Sequence, residues 1–209
     1  MIFDESSIVK LREAIKSRLS EKRYLHTVGV EDMARYLGAA ILPEIVDELR
    51  VAALLHDVAK ELAYEEQLKL LKTSEILCTE EDLQTKPALH SIAAIPVIKR
   101  DFPEYATKDI LSAVANHTLG KDEMSVFDEI IYISDYAEAG RTYPACQSVR
   151  KYLLENVSPD NTYSVNVKAL HIASLSSIES TIDSLTKRNE EINSKTFLTK
   201  GYLEHLITR

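Results

Sequence analysis

The sequence predicts an all-α fold of about nine helices, on three observations. Apolar residues recur at three- and four-residue spacing along most of the chain. Residues that start and stop helices stand at the ends of those stretches. No segment shows the two-residue alternation of a half-buried strand. The composition agrees, with five Gly, six Pro and no Trp among 209 residues rich in Leu, Ile, Ala, Glu and Lys.

The first twenty residues are amphipathic and carry Asp4, Glu5 and Glu13, so they lack the apolar core and small-residue cleavage site of a signal peptide. Ser20 opens a run whose Leu25, Val28, Met33 and Leu37 share a helical face, and Gly38 is expected to end it as a left-handed cap. Pro43 suits the first turn of a helix expected to continue through Lys60, with Ile45, Leu49, Ala52, Ala53 and Leu55 or His56 on its apolar face. A third helix spans roughly Tyr64 to Thr73. Ser74 to Pro87 reads as loop with one short turn. The next helix runs from Pro87 or Ala88 to about Arg100, and Pro96 should kink or split it. Thr107 caps a helix reaching His117, and Gly120 breaks the chain. Ser125 caps another that Gly140 should end. A helix carrying Val149, Tyr152 and Leu153 follows Pro144. A long one runs from about Asp160 to Lys187. Around Gly140 to Pro144 a His-rich front gives way to a His-poor back.

Charge and cysteine usage exclude several classes. A net charge of −8 lacks the basic field that nucleic acid or an anionic membrane surface requires. No apolar run approaches the roughly 18 residues of a membrane span. Cys78 and Cys146 form no CxxC pattern, which excludes zinc fingers and disulfide scaffolds and predicts a cytoplasmic protein.

The histidines carry the functional signal. His26 falls within a helix, His56 near a helix end and followed by Asp57, His90 at a helix start, and His117 at a helix end. Asp135 lies among Ile130, Ile131, Tyr132 and Ile133. Singly, each has an ordinary use as a core or cap residue, and His117 suits the negative end of a helix dipole. Together, four His and two Asp on or beside apolar faces would be costly unless paired or metal-bound. Imidazole with carboxylate suits Fe, Mn, Co, Ni or Zn. His171 and His205 read as ordinary helix residues.

The order His26, His56-Asp57, Asp135 resembles the HD-domain superfamily of metal-dependent phosphohydrolases, and the added His90 and His117 resemble its two-metal members. SEKRYLHTVGV, AALLHDVAKE, ALHS, ANHTLG and IIYISDYAEAGRTYP are similar in order and spacing to the bacterial YqeK family, which hydrolyses diadenosine tetraphosphate symmetrically to two ADP. The likeness covers about Ser20 to Arg150, and TFLTKGYLEHL near the end is also similar. It implies one HD-type domain over residues 1–209, with a helical-bundle core at 20–140 and a helical C-terminal extension at 141–209. It implies two divalent transition-metal ions, iron by family habit. His26, His56, Asp57 and Asp135 would hold one and His90 with His117 the other, bridged by Asp57. A metal-bound hydroxide would attack phosphorus, with Asp57 and Lys60 catalytic. Lys60, in the family's HDxxK pattern and on nearly the same helix face as Asp57, and Arg141 would contact phosphate. From position alone, Arg23, three residues before His26, would contact phosphate or pair with an acidic neighbour, and the Thr118 hydroxyl would bind a phosphate oxygen or serve as a turn residue at the helix end. In EAGRTYP, Ala139 and Gly140 stand where the family has Pro and Asn, while Glu138 and Arg141 are kept.

The expected partner is a small nucleotide, with neither nucleic acid nor membrane. Another HD-type reaction, on nucleoside monophosphates or guanosine tetraphosphate, is the enzyme alternative. A non-catalytic metal-bearing nucleotide sensor and a purely structural bundle are the others. Tyr136 and Tyr143 flank the expected pocket and could stack on a base. The apolar face from Val165 to Leu185 would either form a homodimer or cover the core.

Overall fold

The computed structural model describes residues 3–74 and 76–208. Its eleven α-helices are α1 (Glu5–Lys16), α2 (Glu21–Ile41), α3 (Val46–Leu55), α4 (Tyr64–Thr73), α5 (Glu80–Gln84), α6 (Leu89–Asp101), α7 (Lys108–Asn116), α8 (Val126–Ala137), α9 (Pro144–Asn156), α10 (Tyr163–Lys187) and α11 (Ser194–Thr208). There is no strand among the described residues, and none of their helices is long and apolar enough to cross a membrane.

Caps account for many of the boundaries. Ser20, Thr107 and Ser125 accept hydrogen bonds from the backbone N–H groups of Arg23, Ile110 and Asp128, satisfying donors that a helix start leaves free. Asp128 returns a bond to the Ser125 N–H, completing a capping box.

Several boundaries differ from expectation. Gly38 does not end α2, which runs on to Ile41. A side chain there would place its Cβ 2.7 Å from Leu49 Cδ1, so this glycine lets α3 approach closely. The helix starting at Pro43 becomes a single 3₁₀ turn followed by α3, and α3 stops at Leu55 instead of Lys60. Beyond Leu55 the backbone tightens to i+3 bonds, Val58 to Leu55 at 3.1 Å and Lys60 to Asp57 at 2.9 Å. Pro96 leaves α6 unsplit. The proline takes the donor from the Ile92 carbonyl, and both residues are half-buried. The stretch before Pro87 contains α5, and α8 ends at Ala137, with Glu138 and not Gly140 as its cap.

Helix α8 is the hub, packing against α2, α3, α7, α9 and α10 and burying Phe127, Ile130, Ile131 and Ile133. Much of the α10 face is consumed by this packing, since Leu170, Ala173 and Ile178 are buried. His171 pairs with buried Glu129 at 2.8 Å, which accounts for that histidine.

A charged cluster fastens α1 to the bundle. Buried Glu31 takes Arg12 at 2.6 Å and Arg50 at 3.0 Å, and Arg50 also reaches Glu5 and Asp47. Glu31→Ala frees the partly exposed Arg12 and takes one of three carboxylate partners from buried Arg50, and should cost about 1.5–3 kcal/mol. The thermal midpoint followed by circular dichroism should fall by about 3–12 °C. A fall of under 2 °C would show the cluster to be dispensable.

Candidate metal centre and active site

Five elements deliver the expected residues to one place. His26 comes from α2, His56 and Asp57 from the turn after α3, His90 from the first turn of α6, His117 from the C-terminal end of α7, and Asp135 from α8. Asp57, with 2 % exposure, lies at the centre. Its Oδ2 is 3.4 Å from His56 Nε2 and 3.7 Å from His26 Nε2. Its Oδ1 is 3.1 Å from His90 Nε2 and 3.7 Å from His117 Nε2. His26 Nε2 also lies 3.0 Å from Asp135 Oδ1.

The donor set fits metal binding. His56 and His117 each donate an Nδ1–H to a backbone carbonyl, Ala53 at 2.6 Å and Val114 at 2.7 Å. That fixes the tautomer and leaves the Nε2 lone pair aimed inward. The Nε2 atoms of His26 and His56 are buried without a hydrogen bond, a cost that coordination removes. Ligand atoms of His26, His56 and Asp135 lie within 4.8 Å of one another, as do those of His56, Asp57 and His117. His90 joins through Asp57 and through His117, whose Nε2 is 3.1 Å from its own.

Protonation favours the same use. Burial alone would raise the Asp57 and Asp135 carboxyls, but the surrounding imidazoles, with Arg141 beside Asp135, hold both well below the usual carboxylate range. Burial pushes His90 down to about 4, so it is neutral at pH 7. His26 is lowered by burial but raised more by Asp135 and Glu138, to about 8. A metal on its Nε2 displaces that proton.

The four expected phosphate contacts also gather here, with different present partners. Arg23 donates to Asp57 Oδ2 at 2.7 Å, and Arg141 donates to Asp135 Oδ1 at 2.6 Å and to its backbone carbonyl. Lys60 Nζ lies 3.3 Å from His90 Nδ1 and from the Pro87 carbonyl. A turn, not the expected continuing helix, brings Lys60 beside Asp57, and burial pushes its pKa down. Thr118 Oγ1 is 3.5 Å from His90 Nε2.

Sequence reasoning missed the part played by Glu138. Its carboxylate accepts the His26 Nδ1–H at 3.2 Å and the backbone N–H of Gly140. Gly29 makes room for it, because a Cβ there would stand 2.5 Å from Glu138 Oε2. The chain's departure from the family at Gly140 thus falls on a residue that orients the carboxylate behind His26. The available signal was a carboxylate three residues after Asp135, at the end of an apolar helix. Glu138→Gln should lower metal affinity or activity about 10–100-fold. Rates titrated against limiting metal check this, and a change under twofold would exclude the role.

Two clefts open beside the centre and share Arg141 and Tyr143. One, of about 810 Å³, is also lined by Arg23, Leu25, His26 and Glu138. The other, of about 640 Å³, is also lined by Asp135, Tyr136, Cys146 and Ser184.

Comparison with known proteins agrees with this geometry. The HD domain family matches residues 23–140, which hold the whole cluster. The symmetrical bis(5'-nucleosyl)-tetraphosphatase of Bacillus subtilis is 30% identical over 90% of this chain and 93% of its own length. The enzyme of the same name from Halalkalibacterium halodurans is 28% identical over 93% of this chain and 95% of its own. A crystal structure of a predicted HD superfamily hydrolase involved in NAD metabolism, from Clostridium acetobutylicum, superposes with a TM-score of 0.81 at 28% identity, covering 99% of this chain and 100% of that one. An HD motif in the turn after α3, a helical fold shared along nearly the whole length and relatives matched over at least 90% of each chain lead to one statement: the chain belongs to the HD-domain family, and within it to the YqeK family of phosphohydrolases.

Proposed function

We propose that the protein is a two-metal hydrolase that cleaves dinucleoside tetraphosphates, diadenosine tetraphosphate above all, between the central phosphates. One water is consumed and two ADP are formed. The observation that carries this is the division of Asp57, one oxygen facing His26 and His56 and the other facing His90 and His117. That is the arrangement of a carboxylate shared by two cation sites. The relatives named as symmetrical bis(5'-nucleosyl)-tetraphosphatases supply the substrate class.

In this reading His26, His56, Asp57 and Asp135 would hold one divalent ion, and His90 and His117 with Asp57 the other, iron being the favoured metal and Mn, Co, Ni or Zn compatible with the donors. Such ions, when bound, would supply a nucleophilic water near neutral pH and Lewis-acid neutralisation of phosphoryl charge. The protein's own groups do the rest. Asp57 fixes the spacing of the two histidine pairs. Lys60 and Thr118, at the His90 edge, bind phosphate oxygens, Lys60 as a mobile point charge. Arg23 and Arg141 are hydrogen-bonded to Asp57 and Asp135 and turn their remaining N–H groups to the phosphate chain. The helical extension at 141–209 completes one domain with the bundle core by walling the second cleft.

Chromatography of the products from metal-loaded protein and diadenosine tetraphosphate tests the assignment. Two ADP are expected. ATP with AMP, pyrophosphate or free phosphate would exclude it in favour of another HD-type nucleotide reaction.

A further inference from the structure

We propose that the two clefts seat the two nucleosides of one dinucleotide, and that Arg141 and Tyr143 form the wall between them. The inference deepens the function proposed above and rests on it.

Both clefts fall within the roughly 300–1,000 Å³ of ordinary small-molecule sites, at about 810 and 640 Å³. Each touches the edge of the candidate metal centre through one of its residues. His26 lines the first and Asp135 the second, and these two side chains are 3.0 Å apart. Arg141 lies in both linings and donates to Asp135 at 2.6 Å. A phosphate chain running from one cleft to the other therefore crosses at Arg141, beside the reacting centre.

The walls suit nucleosides. Tyr143 is 70% exposed and Leu25 62% exposed, and both face the first cleft. Large apolar groups left open on a cleft wall gain by covering a flat ring. Tyr143 also faces the second cleft, where Tyr136 and the α10 hydroxyls of Ser180, Thr181 and Ser184 stand. Those hydroxyls can both donate and accept, as ribose and a purine edge require. They lie in the C-terminal extension, outside residues 23–140 matched to the HD domain. That region thereby gains a specific use, as half of the nucleoside recognition. A two-cleft site also accounts for symmetric cleavage: arms of equal length place the central phosphates at the wall.

Calorimetric titration of metal-loaded protein with ADP tests this, because each ADP is half of the dinucleotide. Two ADP per chain are expected. Ser184→Trp, an exposed position whose new ring fills the second cleft, should leave one. Tyr143→Ala should weaken both sites by about tenfold or more, the loss of one base–aromatic stack. One ADP per chain in the unmodified protein, or two retained in Ser184→Trp, would overturn the proposal. Failure of the two readings is distinguishable. Two bound ADP without cleavage of diadenosine tetraphosphate would remove the reaction but keep the clefts. Cleavage to two ADP with a single ADP site would do the reverse.

Discussion

Asp57→Ala should lower kcat/KM on diadenosine tetraphosphate by at least about 10³-fold, the upper end for losing one preorganised charge-stabilising group. The expectation follows from position. Asp57 is the only carboxylate among the described residues whose two oxygens each lie near a separate pair of histidines. Its removal takes the negative charge from the middle of four imidazoles and frees the Arg23 guanidinium held 2.7 Å away. Both proposed cation sites would lose a ligand at once, so bound metal measured by mass spectrometry should fall with activity. The fold should survive. Asp57 sits in a turn beyond α3 and contributes nothing to the apolar core formed by Leu49, Leu54 and Leu55. Asp57→Asn keeps the shape without the charge and should be almost as damaging. Retention of a tenth of the activity at unchanged metal content would exclude the bridging role.

Chelation should abolish turnover and soften the protein, and a divalent transition metal added back should restore both. Without cations, the inward-facing Nε2 atoms of His26 and His56 stay buried with carboxylate oxygens nearby but no well-formed hydrogen bond. Binding only the folded state at about 100 times Kd is worth about 2.7 kcal/mol, which for a chain of this size corresponds to about 5–10 °C in Tm. The prediction is thus a loss of activity together with a lower Tm, each reversed by metal. A chelated protein with full activity and unchanged Tm would return the histidines to a purely structural use.

The helices were legible because their ends carry local chemistry. Ser20, Thr107 and Ser125 mark starts by side-chain capping, and apolar spacing marks the runs between. The misplaced ends of α2 and α3 depended on a partner distant in sequence and on competing backbone bonds. Gly38 looks like a terminator until Leu49 is seen against it. The turn after α3 is invisible to periodicity because Val58 and Lys60 remain on a plausible helical face.

The ligand set was legible for a related reason. Six polar residues placed on or beside apolar helices announce an unmet need for partners, and their order matches one family. What the residues do to one another was not legible. Arg23 and Arg141 were both candidates for phosphate contact, yet each holds a different aspartate. Glu138 reaches His26 across 112 positions of chain.

The amino-acid sequence by itself therefore determined the fold class and the family, and through the family resemblance it named six candidate ligands, because helix periodicity, caps and short motifs are written in residue type and in the spacing of a few positions. Tertiary structure alone decided the division of Asp57 between two histidine pairs, the support of His26 by Glu138, and the meeting of two clefts at Arg141 and Tyr143. Those are distances between side chains on separate helices. They are set by how α2, α3, α6, α7 and α8 pack, a non-local property that no short window of sequence contains.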